Sequence, residues 1–168
     1  MNEKLVYNWN EVVNKNDVVY FVGDFLFKNS VIEYWISALN GQKIFIEGNH
    51  DVVKNEEGQI IHHKIEGAVH DTILNYRGYE FYLIHDPQEI PDHWKSPDRQ
   101  KSWVIHGHEH NNDITKYPFI EGENKRINVS VELIEYTPLD VNKLINLDLS
   151  TIKRMDTIGS QPLRNGET

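Results

Sequence analysis

The sequence predicts an α/β fold built on a covered sheet with parallel neighbours, and three observations predict it. Short apolar runs alternate with amphipathic helical stretches. After a leading helix comes a strand, helix, strand unit of the kind that lays two parallel strands side by side. Four apolar runs finish on Gly, Asp, Asn or His residues, and open α/β sheets bind ligands just outside the carboxyl ends of their strands.

Taken in order, Leu5, Trp9, Val12 and Val13 recur at helical spacing, so the first 15 residues predict a helix with Asn14 to Asp17 as its polar exit. The run Val18 to Val22 predicts a buried strand ending at Gly23-Asp24. Asn29-Ser30, with Glu33 three residues past Ser30, caps a helix over Val31 to Leu39 that Asn40-Gly41 closes. Lys43 to Ile46 predicts a second buried strand, ending at Gly48-Asn49. Further strands are predicted over Tyr79 to Ile84, ending at His85-Asp86, over Trp103 to Ile105, ending at His106-Gly107-His108, and over Arg126 to Val131 as the last strand. Asp86 to Lys101, with three prolines, reads as a loop holding at most a short helix, and Asn111 to Asn124 as a polar loop on the same face. Pro138 to Leu149 predicts a closing helix. The expected organisation is a single domain over residues 1–150 and a partly disordered extension over residues 151–168, frayed from Asp156 on.

Length and charge narrow the function. The chain has 168 residues, 39% hydrophobic and 11% aromatic, enough for one packed domain. Seventeen Lys and Arg against 26 Asp and Glu leave a net charge of −9. That overall field argues against long nucleic acid or an anionic membrane as partner, so any positive charge for handling phosphate must be local. Cysteine is absent and histidine occurs nine times, so a metal here takes nitrogen and oxygen ligands. Neither a signal peptide nor an apolar run long enough to span a membrane is visible, which makes the cytoplasm the expected address.

Two clusters carry chemistry. Gly48-Asn49-His50-Asp51 places an amide, an imidazole and a carboxylate directly after a strand, and Gly107-His108-Glu109-His110 places two imidazoles in a turn. Alone, the first favours chemistry over a tight turn, whereas the second reads equally as a solvated loop. Gly23-Asp24 and His85 are single-residue signals. His62-His63 reads as a solvated turn and His106 as a strand-end residue behind the site, while Trp9, Trp35 and Trp103 fit the core. Asp86 is placed to hydrogen-bond a metal-bound imidazole.

In order, Gly-Asp, Gly-Asn-His-Asp, a strand-terminal His and Gly-His-x-His resemble the calcineurin-like metallophosphoesterases, particularly small single-domain prokaryotic and phage members. The resemblance spans roughly residues 1–148 and includes Asn128-Val129-Ser130-Val131-Glu132. It implies a four-layer α-β-β-α sandwich with two divalent ions at the strand ends. It implies Asp24 as the bridging carboxylate, Asn49, His85 and His108 as further ligands of one ion, and His110 as a ligand of the other, the metals being Mn, Fe, Zn or Ni. The implied reaction is hydrolysis of a phosphomonoester or phosphodiester by metal-activated hydroxide, with His50 as proton donor and Asp51 orienting it. A small phosphate ester is then the expected substrate, and a homo-oligomer is left open.

One motif departs from the family. Its members begin with a strand ending in Asp-x-His, which supplies the second ion's other ligands; here no histidine precedes His50. The expectation is an α/β sandwich missing its first strand, with one ion tightly bound and unpaired backbone beside the site. Either the reading frame starts upstream of Met1, or the chain is a shortened, non-catalytic metal-binding module or scaffold of the same fold.

Overall fold

The structure, a computed structural model, describes residues 2–25, 32–95 and 101–167. Helix α1 (Asn2–Val12) leads into β1 (Val18–Val22), and α2 (Ile32–Ala38) into β2 (Gln42–Ile46), which pairs parallel with β1. The predicted cap at Asn29-Ser30 lies outside the described residues. A hairpin follows, β3 (Val52–Lys54) against β4 (Ile60–His63). The remaining strands form one seven-stranded sheet, in sequence β5 (Asp71–Tyr76), β6 (Tyr79–Ile84), β7 (Ser102–His106), β8 (Ile120–Glu121), β9 (Arg126–Asn128), β10 (Ile152–Met155) and β11 (Leu163–Arg164), in spatial order β11-β10-β8-β9-β7-β6-β5. Helix α3 (Val141–Asn146) is capped by Asp140 through the Asn142 N–H. The fold is a mixed, sheet-rich α/β fold with few helices, as the sequence predicts.

Side-chain alternation lays down the layers. On β6, Phe81 and Leu83 enter the main core with Ile46, Trp103, Ile105, Ile127 and the α3 residue Leu144, while Tyr82 and Ile84 face Val104, Ile90 and Trp94. Both faces of β6 and β7 are therefore buried, which is why these strands read as continuous apolar runs. Tyr20 and Val22 of β1 pack on the main core, and Phe21, on the opposite face, stacks on Trp9 of α1. The first layer is thus α1, the second β1 and β2, the third the large sheet; two 3-10 turns, Pro87–Glu89 and Asp92–Trp94, cover its far face.

Several expectations are corrected. Val18 is 52% and Ile44 37% exposed, so β1 and β2 are half-buried, because among the described residues their sheet has two strands and α2 buries none of its side chains. Among the described residues β1 pairs with β2 alone, in keeping with the predicted unpaired edge. The strand expected over Arg126 to Val131 stops at Asn128, whose Oδ1 accepts from the N–H and Oγ of Ser130 and turns the chain. The supposed polar loop Asn111 to Asn124 contributes Tyr117, Phe119 and Ile120 to the interior. His62 and His63 lie on β4, exposed, rather than in a turn. Residues 152–155 are no loose extension: Ile152 and Met155 are buried and β10 pairs antiparallel with β8, so the boundary expected at residue 150 falls inside the sheet. Among the described residues, no helix is long and apolar enough to cross a membrane.

Candidate metal centre

Four strand ends converge on one point. Gly23-Asp24 follows β1, Gly48-Asn49 follows β2, His85 follows β6, and Gly107-His108 follows β7. Close approach of these ends requires glycine. A Cβ on Gly23 would overlap the His85 ring and come within 2.8 Å of His85 Cβ, and one on Gly48 would overlap the backbone N and Oδ1 of Asp24. The glycines of both motifs are therefore packing requirements of the site as well as turn formers.

At the convergence, Asn49 Oδ1 lies 3.0 Å from His85 Nε2 and 3.0 Å from His108 Nδ1, and the two imidazole nitrogens are 3.1 Å apart. Asp24 Oδ2 is 3.3 Å from His85 Nε2. The donor atoms of Asp24, His85 and His108 all lie within 4.8 Å of one another. His85 donates Nδ1–H to the Val22 carbonyl at 3.1 Å, which leaves Nε2 as the nitrogen facing the site. A carboxylate oxygen, an amide oxygen and two imidazole nitrogens facing one point are chemically suited to a divalent cation, which this group could hold.

Electrostatics hold the set in place. Burial opposes ionisation of Asp24, but hydrogen bonds from His85 and from the His50 N–H (2.9 Å to Oδ1) outweigh it and hold the carboxyl below the usual range. Burial likewise opposes protonation of His85, and the Asp24 carboxylate beside it, with the Val22 carbonyl, raises it above the ordinary imidazole value. Asp24 (φ 56°), His108 (φ 67°) and His110 (φ 49°) all occupy the left-handed region, which non-glycine residues adopt at a cost of order 1 kcal/mol or more each. Three such residues in the inferred ligand set mark a backbone arranged around its side chains.

The other predicted residues fall around this point. His50 is exposed, with its N–H on Asp24 and its carbonyl accepting from Lys64 Nζ at 2.6 Å. Asp51 is fully buried, and its Oδ2 accepts from the N–H groups of Gly48 (3.0 Å) and Phe25 (3.3 Å), tying the loop after β2 to the one after β1. His110 stands outside the three-residue donor group, with Nδ1 3.2 Å from Glu132 Oε1. Asp86 caps the following turn through the Gln88 N–H, and its other oxygen is 3.9 Å from His108 Nε2, beyond hydrogen-bond reach. His106 is buried behind the site beside the Gly107 carbonyl, and burial pushes its imidazole down to about 4. Lys64 and Glu132 are the neighbours that sequence reasoning missed. No motif marks Lys64, whereas Glu132 closes the Asn-x-Ser-x-Glu segment that the resemblance contains.

The calcineurin-like phosphoesterase superfamily domain model matches residues 2–129. The chain belongs to the calcineurin-like phosphoesterase superfamily. It is also similar, at 38% identity over 150 residues, to an uncharacterized protein of Methanocaldococcus jannaschii, the match covering 88% of this chain and 74% of the relative. Among solved structures it resembles a protein of unknown function from Aquifex aeolicus, with a TM-score of 0.56 and 26% identity over 86% of this chain and 83% of that one. The superfamily binds divalent metals, and the Asp24, His85 and His108 group could hold one.

Proposed function

We propose that the chain is a divalent-metal-dependent phosphoesterase acting on a small phosphomonoester or phosphodiester. The observation that carries the reading is the convergence of Asn49 Oδ1, His85 Nε2, His108 Nδ1 and Asp24 Oδ2 at the strand ends of a superfamily domain. Those four residues would hold the tighter ion, and His110 with Asp24 a weaker second one. When bound, a divalent cation there supplies Lewis acidity toward a phosphoryl oxygen and toward water. The protein's own part begins with Asp24 and Asn49, fixed by the close-packed glycines, which orient the site. Hydrolysis makes a new P–O bond from water and breaks the bond to the leaving alkoxide, and His50, exposed beside Asp24, gives that alkoxide its proton. Buried Asp51 holds the His50 loop in register. Lys64 brings a local positive charge that the net field of the chain lacks.

A second reading, a metal-binding module without hydrolysis, is favoured by the place of His110 outside the donor group of Asp24, His85 and His108. Turnover of a nitrophenyl phosphodiester with and without added Mn²⁺ separates the two. Mn²⁺-dependent turnover that falls with metal content in Asn49→Ala and His108→Ala supports the enzyme. Tight Mn²⁺ binding with no turnover of mono- or diesters would support the module.

A further inference from the structure

Glu132 does no work in the reading above, yet its carboxylate is set against one of the inferred ligands. Both of its carboxylate oxygens approach His110 Nδ1, at 3.2 and 3.4 Å. The backbone beneath the pair is fixed by Asn128, which is fully buried. Its Nδ2 donates to the carbonyls of His110 (3.3 Å) and Tyr117 (3.1 Å), and its Oδ1 takes the N–H and Oγ–H of Ser130. One side chain thus anchors the His110 turn to the end of β9 and starts the turn that delivers Glu132 two residues later. Asn128, Ser130 and Glu132 act as one unit.

We propose that Glu132 is the positioning residue of His110: it accepts the Nδ1 proton, and so turns Nε2 toward a divalent cation. The inference rests on the reading of His110 as a ligand. The physical argument is tautomeric. A neutral imidazole has one protonated nitrogen, and the hydrogen bond made by one nitrogen decides which atom is left to bind metal. His85 shows the same arrangement, with Nδ1 on the Val22 carbonyl and Nε2 facing the site. The His110 side chain is 50% exposed, so without Glu132 nothing else in its described hydrogen bonds would hold the ring in that tautomer and orientation. A carboxylate on the far nitrogen also makes the ligating nitrogen more basic, and loss of such partners typically weakens metal binding roughly 10- to 100-fold.

The test uses the full chain, labelled with ¹⁵N, stripped of metal and held at a pH where imidazoles are neutral. Long-range ¹H–¹⁵N spectra should show the His110 proton on Nδ1 in the unsubstituted protein, on Nε2 in Glu132→Leu, and again on Nδ1 in Glu132→Asp. Added Zn²⁺ should then shift the His110 Nε2 resonance at concentrations at least tenfold lower in the unsubstituted protein than in Glu132→Leu, roughly the effect expected of a lost carboxylate partner. Nε2–H in the unsubstituted protein, or equal Zn²⁺ response in both, overturns the inference. Failure to hydrolyse any phosphate ester, with the tautomer and Zn²⁺ response as stated, would refute the proposed reaction and leave the role of Glu132 standing.

Discussion

Replacing Gly23 with alanine asks whether the His85 ring is placed by the strand end it lies against. Gly23 and Gly58 share a φ of +81°, so the backbone cost of a left-handed alanine, roughly 1 to 2 kcal/mol, is common to both. Space is not common to both. At Gly58 the new methyl meets no described atom within 4 Å, whereas at Gly23 it overlaps His85 Nδ1 and Cγ and comes within 2.8 Å of Cβ. Ordinary contact begins at 3.4 Å, so even the mildest of the three contacts demands 3.4 − 2.8 = 0.6 Å of retreat, and the ring atoms demand more. That retreat pulls Nδ1 from the Val22 carbonyl and Nε2 from Asn49 Oδ1, now 3.1 and 3.0 Å away. Overpacking and one lost hydrogen bond raise the total for Gly23→Ala to about 3 to 6 kcal/mol, against about 1 to 2 for Gly58→Ala. Mn²⁺ affinity should fall at least roughly tenfold in Gly23→Ala and hold in Gly58→Ala. Urea unfolding in chelator and Mn²⁺ titration measure the two effects. Equal destabilisation with equal Mn²⁺ affinity would refute the argument from close packing.

Other substitutions probe separate links. His50→Ala should lower turnover roughly 10²- to 10⁴-fold while metal content, measured on the purified protein, stays normal. Ile152→Ala should cost about 2 to 5 kcal/mol in urea unfolding, since Ile152 is 1% exposed and belongs to the main core; a cost under 1 would return β10 to the status of a tail. His106 is neutral in the fold down to about pH 4, whereas an unfolded histidine protonates near 6.5. Its contribution is therefore complete above 6.5 and lost as pH falls toward 4, about 3 kcal/mol in all. His85, whose value is raised, acts above 6.5 and in the opposite sense, so the two do not overlap. In chelator, unfolding at pH 6.5 and 4.5 should differ more for the unsubstituted protein than for His106→Gln, and parallel losses would show that His106 contributes nothing.

How much was legible beforehand follows from periodicity. Strands buried on both faces, such as β6 and β7, announce themselves as unbroken apolar runs, and the polar residues at their ends mark the site. What stayed hidden lacked that signature. β5 alternates in its exposure along Asp71 to Tyr76, and its hairpin turns on Arg77 and Gly78, both at positive φ, a signal that was present but weak because Arg is not a usual occupant. β10 is four residues with Lys153 and Arg154 at its centre, and only tertiary contact with β8 makes it a strand. The half-exposure of β1 and β2 could not be read either, because an apolar run does not disclose how many strands its sheet has. At the centre, motif order brought Asp24, Asn49, His85 and His108 to notice, but the pairing of His110 with Glu132 crosses 22 residues and has no local pattern.

Two of the four converging donors ride on the small sheet and two on the large one. Whatever they grip in common acts as a rivet through the seam where Tyr20, Val22 and Ile46 meet Phe81 and Leu83. Binding free energy then becomes cohesion between layers. A ligand present at a thousand times its dissociation constant adds about 4 kcal/mol to the native state, and that increment opposes the motions that part the sheets rather than fraying within either. Proteases that need the opened seam would thus meet a chain whose lifetime follows the local supply of that ligand.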